Sequence, residues 1–206
     1  GVDYPLAVLI GGIVIVVYTF LGGFLAVSWT DFIQGLLMFF AIVLVPVMAF
    51  FSAGGITGIG EAMAEAEISG SIIPSGTLPI IGIISTMAWG LGYFGQPHIL
   101  SRFMGIRSVK EIPASTTIAL IWVGFSLTFA VFIGLIGISL YPELSGPASE
   151  TVFIEMVRGV FTPWIGGIFL AAILSAIMST IDSQLLVSSS ALTEDLYKRF
   201  AGQDIS

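Results

Sequence analysis

Five stretches of this 206-residue chain run for some twenty residues or more with almost no charge: Tyr4–Phe24, Asp31–Phe51, Leu78–His98, Thr116–Leu140 and Trp164–Ser189. The only carboxylates inside them are Asp31, at the first position of the second stretch, and Asp182, deep in the fifth. A core helix of a soluble protein keeps polar residues on one side at a period near 3.6, and none of these stretches has such a face. About 20 apolar residues suffice to cross the hydrocarbon of a bilayer. The pattern therefore predicts an all-α integral membrane protein with about five transmembrane helices, near 4–24, 31–51, 78–98, 116–140 and 164–189. Between the last two, Ser149 and Glu150 read as a helix start, and Val152, Phe153, Met156, Val157, Val160 and Phe161 recur on one face. That predicts an amphipathic helix over about 149–161, lying at the outer membrane surface. The loop 52–77 carries six glycines and an acidic helical stretch at Glu61–Glu67. No internal repeat is visible.

The loops give the spans a direction. Arg102, Arg107, Lys110, Lys198 and Arg199 fall in loops 25–30 and 99–115 and the tail after Ser190, all on one side. The other side has Arg158 alone among basic residues, together with Asp3, Glu61, Glu65, Glu67, Glu143, Glu150 and Glu155. The excess of Lys and Arg marks the cytoplasmic side. The reading is a multi-pass protein of the cell (inner) membrane, residue 1 outside and residue 206 cytoplasmic. Composition agrees. Charged residues make up 9% of the chain, against about 25% in soluble domains, and mean hydropathy is +1.07. Lipid is the solvent that fits. With no cysteine and a single histidine, His98, disulfides and thiolate or multi-histidine metal sites are excluded. The net charge of −7 is scattered among loops, and no basic patch points to nucleic acid. The chain opens at Gly1 without a methionine or leader pattern, which predicts a piece of a longer protein.

Inside a bilayer, helix breakers and polar side chains carry the information. Three places have them. In the third span, Trp89-Gly90-Leu91-Gly92-Tyr93-Phe94-Gly95-Gln96-Pro97-His98 packs three glycines and a proline into eight residues. Gly costs a helix interior about 1 kcal/mol and Pro about 3. Trp89, Tyr93 and Pro97 share one side if the segment stays helical. An interrupted helix lining a substrate site is one reading; a glycine packing face with interfacial aromatics is the other. In the fifth span, Ala176, Ser179, Thr180 and Ser183 fall at i, i+3, i+4 and i+7. Their hydroxyls suit a hard monovalent cation, and they equally suit small-residue helix packing. Asp182 beside them costs about 2.5–3.5 kcal/mol at a helix centre, so it must face a cavity, a cation or a hydrogen-bond partner. In the third place, Trp29-Thr30-Asp31, Asp31 either caps the second span or serves function. No nucleotide-binding loop or catalytic Ser–His arrangement is present; the chain reads as a device for passage or binding and not as an enzyme.

At these same residues the chain resembles the sodium/solute symporter family, with the likeness running to its bacterial sodium/proline symporters. The run Trp89–Met104, Ala176-Ile177-Met178-Ser179-Thr180, the tail Thr193-Glu194-Asp195-Leu196-Tyr197-Lys198, and Thr19–Ser28 with Trp29-Thr30-Asp31 carry it. The resemblance implies a leucine-transporter-like fold of two inverted five-helix repeats. This chain would hold the last two helices of the first repeat and the first three of the second. It implies sodium as the coupling ion, held by the Ala176 carbonyl and the Ser179 and Thr180 hydroxyls, with further ligands from a helix outside the chain. It implies a small solute, L-proline, bound near Trp89, Tyr93 and Pro97, with Gln96 as a polar neighbour. Asp31 matches an aspartate tied to sodium coupling, which favours function over the cap. For Asp182 the resemblance supplies no role; a hydrogen bond to a neighbouring helix is the reading left. The function implied is sodium-coupled symport by alternating access. The alternatives are a membrane sensor fused to a signalling kinase, or a symporter for pantothenate, a sugar or a carboxylate.

Overall fold

The structure, a computed structural model, describes residues 3–68, 79–197 and 200. Every regular element among the described residues is helical. Seven helices carry the architecture: α1 (Tyr4–Ser52), α2 (Gly55–Glu65), α3 (Pro79–Gly92), α4 (Pro97–Met104), α5 (Ile112–Leu140), α6 (Val152–Val160) and α7 (Pro163–Ala191). Three helical segments are long and apolar enough to cross a bilayer: Pro5–Ser52, Val109–Leu140 and Pro163–Asp195. The first is twice the length one crossing needs. Ile80–Gly92 is a shorter apolar helix.

Helix α1 is not straight. Gly23 has φ 54° and ψ −146°, a conformation open essentially to glycine alone. A side chain at Gly22 would run into the Ala26 methyl. Both glycines are therefore demanded by a sharp turn. Its extent can be judged from what it joins. Tyr18 and Asp31 are thirteen positions apart, about 20 Å along a straight helix, yet both lead to the same turn of α7 (below). Residues 25–30, expected as a loop, are helical, because the turn is completed by one residue and the chain resumes its helix at once.

The core gathers Ala41, Val45 and Ala49 of α1, Ile136 of α5, Met156 and Val157 of α6, and Ala172 of α7. Phe39 stacks on Phe125 at 5.3 Å and leans on Trp122, sealing α1 to α5. The apolar stripe of α6 does not lie outward: Met156 and Val157 are fully buried against α1, α5 and α7. Helix α6 itself begins at Val152, after a 3-10 turn over Gly146–Thr151. The Tyr141 hydroxyl donates to the Glu155 carbonyl at 2.9 Å and ties the end of α5 to α6. Burial, with Glu155 and Glu143 nearby, raises that hydroxyl above its ordinary pKa. Large apolar side chains point outward elsewhere, as lipid-facing helices require: Phe20, Leu21 and Ile177 are half or more exposed.

Candidate functional site

Of the two readings of the glycine-rich segment, the structure has the interrupted helix. Helix α3 stops at Gly92, Tyr93–Gly95 make one 3-10 turn, and Gln96 is extended at φ −81° and ψ 114°. Pro97 then opens α4 at the first-turn position, where its missing N–H leaves no bond unmade. The break means that Trp89, Tyr93 and Pro97 do not share one helical face; the four-residue spacing places them on three consecutive pieces of chain. Trp89 lies in the last turn of α3, and its side chain is outside the described residues. The Tyr93 ring is about half exposed. Gln96, Pro97 and His98 line a cavity of about 340 Å³ against Gln184, Val187 and Ser188 of α7. Of the expected solute-binding residues, the structure thus brings Gln96 and Pro97 to α7 together.

One to three turns back along α7, the Ser179 and Thr180 hydroxyls both donate to the Ala176 carbonyl, each at 3.1 Å. Three hard oxygens are gathered within one helical turn. Because the hydroxyl protons are directed at Ala176, the oxygen lone pairs are free to face a cation. Ala176 and Thr180 are exposed on this chain and Ser179 is half-buried. No cluster of three or more His, Asp or Glu side chains is found among the described residues.

The next turn of the same helix carries a buried polar network. Asp182 is completely buried. Its Oδ2 accepts from the Tyr18 hydroxyl of α1 at 2.7 Å, and its Oδ1 lies 3.2 Å from Ser183 Oγ. The sequence required a partner for this carboxylate; the structure identifies a hydrogen bond to a neighbouring helix. Asp31 does not cap a helix, since α1 runs straight through it. Its Oδ2 instead pairs with Arg102 of α4 at 2.5 Å, and the same guanidinium nitrogen donates to Ser183 Oγ at 2.6 Å. Arg102 therefore pins α4, the helix that follows the break, to α1 and α7 at once. These side chains border a second cavity of about 280 Å³ that includes Val27, His98 and Ser101. Asp31 Oδ1, Gln34 Oε1 and Thr19 Oγ1 are buried without a hydrogen-bond partner among the described residues.

Sequence reasoning missed Arg102 and Tyr18. Arg102 counted toward orientation and the family resemblance but not toward pairing, although two carboxylates in apolar segments with one guanidinium at a span boundary was a signal for it. Tyr18 offered none: nothing in its own helix sets it apart.

A family model for the sodium:solute symporter family matches residues 1–205. The chain is 46% identical to the sodium/proline symporter of Salmonella typhimurium, over 100% of this chain and 42% of that protein. It is 50% identical to the high-affinity proline transporter PutP of Bacillus subtilis (96% of this chain, 42% of the relative). To the sodium/proline symporter of Escherichia coli it is 47% identical (97% and 41%). The chain spans about two fifths of the length of these curated relatives. No solved structure matches it. With the family match running over residues 1–205 and the interrupted helix and hydroxyl turn in place, this multi-pass membrane chain belongs to the sodium:solute symporter family.

Proposed function

We propose that the protein is a sodium-coupled symporter of a small solute, L-proline, working by alternating access. The observation that carries this reading is the turn of α7 where the Ala176 carbonyl and the Ser179 and Thr180 hydroxyls converge. Sodium accepts neutral oxygen ligands of this kind, whereas a proton-driven device needs a titratable group at the site. The remaining ligands come from a helix outside this chain, and Asp31 takes part in coupling. The solute binds beside the interrupted helix, with Trp89 and Tyr93 as aromatic walls and Gln96 and Pro97 at the break. The proline named by the relatives fits such a wall, being compact and apolar with a charged carboxylate for freed backbone groups. Sodium and proline are co-transported substrates, and the sodium gradient is the energy source. The two halves of α1 with α3, α5 and α7 make the five crossings, in a cell (inner) membrane, with residue 1 outside and residue 206 cytoplasmic.

Sodium-dependent uptake of labelled proline into vesicles containing the full-length protein tests this. Uptake that collapses when sodium is replaced by choline supports it. Sodium-driven uptake of pantothenate, a sugar or a carboxylate in place of proline overturns the substrate assignment.

A further inference from the structure

We infer that Asp182 is a positioning residue for sodium: through Tyr18 it fixes the rotation of α7 about its axis, and so the aim of the Ser179 and Thr180 hydroxyls. The inference rests on reading that turn as the sodium half-site. Three observations carry it. Asp182 follows Thr180 by two positions and Ser179 by three, so its own turn continues theirs. Offsets of two and three residues on a helix are about 200° and 300°, so a side chain tied down at Asp182 sends Thr180 to the opposite side of α7 and keeps the half-buried Ser179 beside it. The observed exposures agree: Asp182 has none, while Thr180 lies open. Finally, the tie is specific. A completely buried carboxylate accepts a phenol proton at 2.7 Å from a helix 164 positions away. An apolar contact permits a helix to roll; a buried charge-assisted hydrogen bond has one geometry, because rolling leaves the carboxylate unpaired in a medium of low polarity.

A helix that is free to roll by 20–30° still packs. It no longer presents two hydroxyls and a carbonyl to the same point, and cation sites of this type tolerate little misplacement. Asp182 is thus retained for alignment, at a cost no lipid-compatible residue would carry.

The test is the sodium concentration giving half-maximal proline uptake by the full-length protein in vesicles, with membrane abundance measured for each variant. Tyr18→Phe and Asp182→Ala each remove the tie, and each is expected to raise that concentration about tenfold. The proline concentration for half-maximal uptake at saturating sodium should stay within about twofold. Asp182→Asn still accepts the phenol proton and is expected to restore sodium dependence to within about twofold of the unaltered protein. The double variant Tyr18→Phe/Asp182→Ala should be no worse than Asp182→Ala alone, since one bond cannot be lost twice. Two results overturn the inference: Asp182→Asn as impaired as Asp182→Ala while Tyr18→Phe is silent, which assigns the effect to charge; or equal loss for sodium and proline. Should Asp182→Ala fail to reach the membrane, Tyr18→Phe and Asp182→Asn decide the matter between them. Ser179→Ala is the separate control: an unmoved sodium dependence there sinks the half-site reading itself, whatever the Tyr18 variants do.

Discussion

Replacing Arg102 by Gln should loosen α4 from the rest of the protein. Arg102 contacts both Asp31 of α1 and Ser183 of α7. The size of the effect follows from exposure. An ion pair in full contact with solvent is worth about 0.2–1 kcal/mol. Removing one partner of a fully buried pair costs about 3–5 kcal/mol. Here the Arg102 side chain is 50% exposed and that of Asp31 12%, so solvent screens the cation and not the carboxylate. An intermediate value of about 2 kcal/mol is appropriate, which is about a thirtyfold shift in an equilibrium. The shift is toward states in which α4 is undocked and the cavity beneath it is open. Val27 reports on that opening, since it lines the cavity and is 3% exposed. The chain contains no cysteine, so in a cysteine-free background Val27→Cys is a single, buried thiol. Its rate of reaction with a membrane-impermeant maleimide follows the open population when closing is fast. Arg102→Gln should raise that rate by about ten- to thirtyfold. Asp31→Asn should raise it less, because a neutral amide still accepts from the guanidinium. The double variant should fall below Arg102→Gln, because no orphaned carboxylate remains. A rate for Arg102→Gln within twofold of the reporter alone would show that the pair holds nothing closed.

Three further outcomes follow from particular residues. Thr180→Ala removes one hydroxyl oxygen from the α7 turn and should raise the sodium concentration for half-maximal uptake about tenfold, with Thr180→Ser recovering most of it; a sodium titration decides. Gly22→Ala and Gly23→Ala should each destabilise the turn in α1, the latter by about 1–3 kcal/mol from its backbone conformation alone. Heat-induced aggregation in detergent should expose the loss, and Gly35→Ala, where a methyl meets nothing within 4 Å, is the matched control. The Tyr141 hydroxyl, with its pKa raised in the fold, stays protonated while the unfolded chain ionises above its ordinary value near 10. Its contribution is therefore complete below about pH 10 and declines as pH rises from there. Tyr141→Phe should lack that alkaline loss while being less stable at pH 7.

Some of this was legible in the chain, and the reason lies in what each signal measures. Hydropathy reports the solvent of a segment, so α1, α5 and α7 were visible at once. Helix propensity is local, so the interruption at Tyr93–Gln96 could be placed from Gly92, Gly95 and Pro97. The sequence placed a loop at 25–30, between two apolar stretches, and not at Gly23. Ser28, Thr30 and Asp31 are the polar residues there, but the helix kinks at Gly23, where only conformational freedom was needed. A polar cluster inside an apolar run marks a tertiary contact as readily as a loop, and Asp31 is the case in point.

The network around Asp182 shows the deeper boundary. Helical periodicity states which residues share a face; it says nothing about which helix that face meets. That Asp182 needs a donor follows from its chemistry and the bilayer. That the donor is Tyr18 follows from the first half of α1, beyond the kink at Gly23, meeting the same turn of α7 that the second half reaches through Arg102. The one glycine conformation that hydropathy could not see is therefore what assembles the polar centre. Gly23 belongs with Asp31 and Asp182 in any account of how this polar centre is assembled.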